Sequence, residues 1–228
     1  MEESQSVYSV SIAAELKRAV PDLCLGVICA DVVVEKKNRV VWDILQRLGR
    51  EAAAKYKLDM LSVNPRLQAA RDAYRKLGKD PSRYRVSSEA LLRRVLQGKG
   101  LYQVNNVVDI NNIISMETLL SVGVYDRDKL KGPVVFGVGR PGESYRGIGK
   151  ETLNIAELPV FVDEVGPFGS PTSDSERAMI TFNTRKVLMV IISFSGNLGG
   201  KLPEDLEKGK ALLRNYAGGT NITASSVV

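Results

Sequence analysis

Amide and carboxylate side chains are concentrated in one apolar stretch of the chain, residues 104–126. Four asparagines and one aspartate stand close together there, at Asn105, Asn106, Asp109, Asn111 and Asn112. Such side chains lower helix propensity unless each has a hydrogen-bond partner. Two interpretations follow: the amides bind a polar ligand, or they tie the start of a helix to neighbouring backbone.

The chain contains no histidine, and its two cysteines are Cys24 and Cys29. The missing histidine excludes Ser-His-Asp and Cys-His nucleophilic catalysis and also a histidine general base. Without histidine or a CxxC pair a metal site is disfavoured, and no cofactor is expected. Any chemistry must come from carboxylates, amides, hydroxyls, lysines or water. The spacing of five predicts that the cysteines lie on opposite faces of one strand.

The elements that position these groups follow from the apolar periodicity. Helical spacing predicts a helix over 105–120 whose N-terminal half carries the amides. The same reasoning places earlier helices at 12–20, 40–58, 67–77 and 88–97, and a buried strand at 23–34. Residues 1–6 are expected to be disordered.

After residue 120 the apolar period changes to two, which is typical of strands. Strands are predicted at 122–124, 134–138, 160–162 and 187–194, followed by a helix from Pro203 and a mobile tail at 218–228. This mixture predicts one α+β domain over residues 1–228, a layered sandwich of β-sheets with helices covering an outer face.

Gly137, Gly139 and Gly142 spell GxGxxG after a predicted strand. That motif binds a dinucleotide only where a helix opens at the third glycine. The residues that follow, ESYRGIGKE, are polar and rich in glycine, so a hairpin is the better interpretation.

Positive charge is unevenly distributed along the chain. The net charge is +6, yet residues 65–100 alone hold ten basic side chains against three acidic ones. Such a cluster is typical of a phosphate-binding face, although basic helix surfaces also occur on proteins that bind no nucleic acid.

Several sequence words resemble a known family. NNVVDINN at 105–112, followed by VGVYD at 122–126, resembles the NNVVDVTN and HAFD signature of the B3/B4 module. That module is the editing domain in the beta subunit of bacterial phenylalanyl-tRNA synthetase. The passage from ARDAYRKLGKDP to LLRRVLQG resembles the form found in free-standing B3/B4 proteins, and GPFGSPTSDSE is a further similar word. The resemblance is strongest over 66–194.

The resemblance also implies a ligand pocket. Asn111 and Asn112 stand at the family's Thr-Asn pair, where the second residue matches and the first departs. Gly123 occupies the position of the family's histidine, and Glu176 resembles the pocket acid that follows a glycine-rich loop. The implied pocket residues are Asn111, Asn112, Gly123, Gly166, Gly169 and Glu176. No catalytic residue is assigned.

The function implied is a free-standing module that binds tRNA or aminoacyl-tRNA, and whether it also hydrolyses mischarged aminoacyl-tRNA in trans stays open at this point. The implied tRNA contacts are Arg83, Arg85, Arg93, Arg94 and Lys99. Two alternatives stay open: a protein that binds an amino-acid-like ligand without tRNA activity, and an interaction module for another translation protein. Neither an apolar run of membrane length nor a signal segment is evident, so a cytoplasmic protein is expected, with neither membrane nor DNA as partner.

Overall fold

The computed structural model describes residues 8–149, 151–197 and 201–228. The expectation for residues 1–6 lies outside them. The α-helices of this part of the chain are α1 (Ala14–Ala19), α2 (Arg39–Lys55), α3 (Pro65–Lys76), α4 (Ser87–Leu96), α5 (Asn106–Thr118) and α6 (Lys201–Tyr216). The strands are β1 (Val10–Ile12), β2 (Cys24–Asp31), β3 (Ser121–Asp126), β4 (Val134–Val138), β5 (Ser144–Arg146), β6 (Thr152–Asn154), β7 (Pro159–Asp163), β8 (Gly166–Gly169), β9 (Lys186–Ser193) and β10 (Thr220–Val227).

Two sheets lie face to face. The central sheet has the strand order β10-β2-β9-β3 and is antiparallel throughout. The outer sheet has the order β1-β4-β7-β8, in which β1 and β4 are parallel. Helices α4, α5 and α6 cover the other face of the central sheet, and α2 packs against α4 and α5. This arrangement confirms the predicted α+β class, with sheets layered together and helices on an outer face.

The strand β2 separates two hydrophobic cores because its side chains alternate between the faces of the central sheet. Cys24 and Ile28 belong to the core beneath the helices, whereas Val27 and Cys29 belong to the core between the sheets. The cysteines are therefore buried on opposite faces, as predicted.

The helix α5 begins with its polar side chains bound to backbone. Asn105 caps it by accepting a hydrogen bond from the Val108 N–H at 2.9 Å. Asn106 bonds the backbone after β2 and the carbonyl at the end of α6. Asp109 accepts from the Val104 N–H at 3.0 Å. For these three residues the helix-tying interpretation is correct.

Asp109 gives the fold a pH dependence. Burial raises the pKa of its carboxyl to about 6, against hydrogen bonds that favour ionisation, and its Oδ2 is buried without a partner. The folded protein therefore keeps this proton up to a pH of about 6, whereas an unfolded aspartate releases it near a pH of about 4. Stability consequently falls as the pH rises between those values.

Replacing Asp109 with asparagine should flatten this part of the pH profile, because asparagine keeps an acceptor for the Val104 N–H and cannot ionise. Urea unfolding midpoints between pH 4 and 8 measure the effect. Asp43→Asn, on the exposed face of α2, is the control and should leave the slope unchanged. Equal slopes in wild type and Asp109→Asn would contradict the assignment.

The prediction of a mobile tail at 218–228 is wrong for most of those residues. Residues 220–227 form β10, which pairs with the edge of β2. Ile222 and Ala224 pack against the core beneath the helices, while Val227 packs against the core between the sheets. The tail is ordered because it supplies hydrogen-bond partners along the edge of β2 that β9 does not cover.

The GxGxxG segment leads into a hairpin of β5 and β6, as predicted. Gly142 has a φ of +81° in the turn, where glycine is favoured. No helix opens there within the described residues, so the phosphate-binding geometry of the dinucleotide motif is absent from this segment.

Candidate functional site

A cavity of about 780 Å³ opens at the edge of the central sheet. Its walls are α4, α5, the edge strand β3 and the loop at 170–174. Sites that bind small molecules usually enclose about 300–1,000 Å³. The cavity is thus large enough for an amino acid joined to a nucleoside.

The second half of the amide cluster faces this cavity. Asn111 and Asn112 both line it, and each residue is 8% exposed. The Oδ1 atom of Asn111 is buried without a hydrogen-bond partner. A buried amide oxygen of this kind is costly unless a ligand or water donates to it. The second turn of α5 therefore offers hydrogen-bonding groups to the cavity, whereas its first turn holds the fold.

All five cations predicted to contact tRNA line the same cavity. Arg83 and Arg85 are exposed in the segment before α4, and Lys99 is exposed after it. Arg93 and Arg94 are half-buried on α4 itself. These side chains place a dense positive field around a site that also presents neutral amides.

Arg94 also joins an aromatic surface. Its guanidinium lies 5.2 Å from the centroid of the Tyr102 ring, and its Nε is buried without a hydrogen-bond partner. Tyr102 is 51% exposed and lines the cavity. Flat cationic and aromatic groups of this kind can stack against a nucleobase.

Arg93 differs from the other four cations because it supports the fold. Its Nε donates to Glu89 at 2.6 Å, and Arg71 makes a bidentate pair with the same carboxylate at 2.9 and 2.6 Å. Glu89 is only 1% exposed. Burial acts to raise the pKa of Glu89, but the two guanidinium groups hold it below its ordinary value. Reversing the charge of Arg93 would therefore damage the protein as well as the cavity.

The loop at 170–174 contributes an acid to the cavity. Asp174 lines it, and its Oδ1 accepts hydrogen bonds from the Tyr125 hydroxyl at 2.8 Å and the Ser170 N–H at 3.2 Å. Burial raises the pKa of Asp174 to about 7, although both hydrogen bonds favour the ionised form. This acid was not among the predicted site residues.

Two further tyrosines hold the same loop. The hydroxyls of Tyr74 and Thr172 lie 2.9 Å apart, and the Tyr145 hydroxyl donates to the Ser173 carbonyl. Burial raises the pKa of both tyrosines, so they stay protonated and able to donate. Hydrogen bonds with buried phenol groups therefore hold the loop at 170–174, which forms this wall of the cavity.

Gly123 and Gly169 surround Tyr125 instead of lining the cavity. A Cβ atom on Gly123 would lie 2.3 Å from the Tyr125 hydroxyl oxygen, and one on Gly169 would lie 2.4 Å from it. The neighbours Val122 and Val124 point the other way, into the cavity. A side chain at position 123 is excluded by the phenol ring, which explains why no larger residue stands there.

Gly166 and Glu176 also lie apart from the lining of this cavity. Glu176 forms an ion pair with Arg146 at 3.0 Å, and its side chain is 35% exposed. The Gly166 carbonyl accepts a hydrogen bond from Arg177 at 2.9 Å. The structure thus brings Asn111 and Asn112 to the cavity and places the other four predicted pocket residues elsewhere.

No group of three or more cysteine, aspartate or glutamate side chains that could hold a metal ion occurs in the described part of the chain. Across those same residues, none of the helices combines the length and apolar character that crossing a bilayer requires.

Comparison with known sequences indicates the family of this chain. The family model described as "B3/4 domain" matches residues 69–199. The phenylalanine--tRNA ligase beta subunit of Bartonella henselae is 30% identical over 105 residues, which are 45% of this chain and 13% of that subunit. The chain therefore spans only a small part of this relative's length.

A solved structure is also similar, an N-terminal fragment of the phenylalanyl-tRNA synthetase beta subunit from Pyrococcus horikoshii. It is 14% identical, with a TM-score of 0.49, and the match covers 98% of this chain and 52% of that chain. The family model, by contrast, covers more than half of the 228 residues. The chain belongs to the B3/4 domain family.

Proposed function

We propose that this protein binds the aminoacyl end of a tRNA in the cavity and hydrolyses the ester of a mischarged aminoacyl-tRNA in trans. One observation carries the proposal. The amides Asn111 and Asn112 and the five cations, which come from three separate parts of the sequence, line one cavity. Membership of the B3/4 family and similarity to a phenylalanine--tRNA ligase beta subunit support the same reading.

The two kinds of lining group suit the two parts of such a ligand. An aminoacyl group brings ammonium or hydroxyl donors, which the unpartnered oxygen of Asn111 can accept. The 3′ end of a tRNA brings phosphates and bases, which suit arginines and the exposed ring of Tyr102. Apolar walls from Val108 and Val122 would receive the rest of the acyl side chain.

The direct experiment is to incubate the purified protein with a panel of tRNAs, each carrying a correct or an incorrect amino acid. We expect the protein to release the amino acid from a subset of mischarged tRNAs, with correctly charged ones left intact. Asn111→Ala combined with Asn112→Ala should abolish that release, because it removes the amides at the acyl group. Absence of release from every tRNA would contradict the hydrolytic proposal.

The cationic rim makes a second prediction. Replacing Arg83 and Arg85 together with alanine should weaken tRNA binding roughly tenfold or more at physiological salt, because two phosphate contacts and their released counterions are lost. The slope of log affinity against log salt should fall in magnitude by about 1.5–2. Both side chains are exposed, so the fold should persist.

The control variant carries the same change of charge at two arginines that do not line the cavity. Arg39 and Arg47 on α2 are exposed and form only surface ion pairs, at 3.8 and 3.4 Å. Their replacement with alanine should affect binding much less. Equal affinity in wild type and in the Arg83 and Arg85 variant would favour the alternative function, binding of an amino-acid-like ligand without tRNA.

A further inference from the structure

The acid in the cavity wall has a place in the reaction. We propose that Asp174 is the general base of the ester hydrolysis, taking a proton from the attacking water. This assignment rests on the proposed function. Of the described residues that line the cavity, Asp174 alone carries a carboxylate, and the chain has no histidine that could serve instead.

The geometry leaves one oxygen of Asp174 available. Both hydrogen bonds to the carboxylate, from the Tyr125 hydroxyl and the Ser170 N–H, reach Oδ1. Oδ2 accepts none from the described residues. A base needs one oxygen held in place and another free to take a proton, and the hydrogen bonds to Asp174 leave Oδ2 free in this way. Gly123 and Gly169 are the positions that make room for the tyrosine that holds it.

The groups around Asp174 and its burial determine the pKa of its carboxyl. The titratable groups around it on the wall are Tyr74, Tyr125 and Tyr145, and the charged groups on the α4 side of the cavity are Arg83, Arg85, Arg93, Arg94 and Lys99. Burial raises the pKa of Asp174 to about 7, so near neutral pH the carboxyl is divided between its two forms. A general base works best when its pKa is close to the working pH.

The water oxygen forms a bond to the ester carbonyl carbon while one water proton passes to Oδ2 of Asp174. The tetrahedral intermediate then collapses, the bond from that carbon to the ribose oxygen breaks, and the leaving oxygen takes the proton back from Asp174. The products are the free amino acid and a tRNA with a free terminal hydroxyl, so no other reactant is required.

The test compares wild type with Asp174→Asn in single-turnover deacylation from pH 5.5 to 8.5. Asparagine can accept the same two hydrogen bonds through its oxygen, which preserves the loop. We expect the rate to fall by about 10²- to 10⁴-fold while tRNA affinity is unchanged. The wild-type rate should rise with pH through about 7, and the variant should lose this rise.

Two more variants sharpen the result. Tyr125→Phe removes a hydrogen bond that favours the ionised form, so the midpoint of the pH profile should move upward. Glu176→Gln tests the acid that the family resemblance points to. A loss of deacylation confined to Glu176→Gln would overturn the assignment of Asp174 but not the proposed function. An Asp174→Asn variant with the wild-type rate and pH profile would have the same consequence. A wild-type protein that hydrolyses none of the tRNAs overturns the proposed function together with that assignment.

Discussion

Replacing Arg71 with alanine should lower the free energy of unfolding by about 3–5 kcal/mol, the range found when a buried ion pair loses one partner. Arg71 binds both oxygens of Glu89, and the Glu89 side chain is only 1% exposed. Without Arg71 that carboxylate would keep Arg93 alone, and one of its oxygens would be buried without a partner. Urea denaturation monitored by circular dichroism measures the loss.

Arg75→Ala is the matched control on the same helix. Arg75 pairs with Asp72 at 2.6 Å, but both side chains are about half exposed, at 53% and 47%. An exposed pair contributes less than about 1 kcal/mol. Similar losses in the two variants would contradict the view that Glu89 is a buried charge held by arginines from two helices.

Gly123→Ala should also destabilise the protein strongly. The added Cβ would lie 2.3 Å from the oxygen and 2.7 Å from the nearest carbon of the Tyr125 phenol. The ring is only 1% exposed, and Gly169 also lies against it. Overpacking of this kind typically costs about 1–3 kcal/mol and occasionally more. Because Tyr125 holds Asp174, we also expect deacylation to fall by more than the loss of folded protein explains.

Two comparisons isolate the clash in that experiment. Gly137→Ala introduces the same methyl group into β4, where the nearest atom, the Cβ of Ala13, is at an ordinary 3.5 Å. It should change stability far less. Gly123→Ala made in a Tyr125→Val background should cost little beyond Tyr125→Val itself, because the ring is gone. A full additional loss in that background would show that the ring is not the cause.

Local patterns predicted much of the fold. The helix α5 and the strands β4 and β9 were expected within one or two residues of their actual ends, because apolar periodicity depends on neighbours in the chain. The strand β10 was missed. Its serines and threonines carry a weak strand signal, and its order depends on pairing with β2, which lies near the other end of the sequence.

Sequence patterns also predicted only part of the candidate site. The words NNVVDINN and LLRRVLQG pointed to Asn111, Asn112, Arg93 and Arg94, and these residues do meet at one cavity. The resemblance pointed to Glu176 as the pocket acid, but GPFGSPTSDSE also contains Asp174 two positions earlier. Only the three-dimensional structure shows that Asp174 lines the cavity and that Glu176 pairs with Arg146.

The amide cluster divides for a physical reason. Asn105, Asn106 and Asp109 occupy the first turn of α5, where backbone groups need partners, and Asn111 and Asn112 stand one turn later, beside the cavity. One sequence word therefore encodes a helix start and a binding surface in succession.

The measurement that tests the account most directly is a crystal structure of the protein with a nonhydrolysable 3′-aminoacylamino analogue of adenosine. We expect the aminoacyl group within the cavity, in hydrogen-bond contact with Asn111 and near Asp174, and the adenosine beside Tyr102 and Arg94. A cavity that stays empty at saturating analogue, or an analogue bound on another surface, would contradict the central claim.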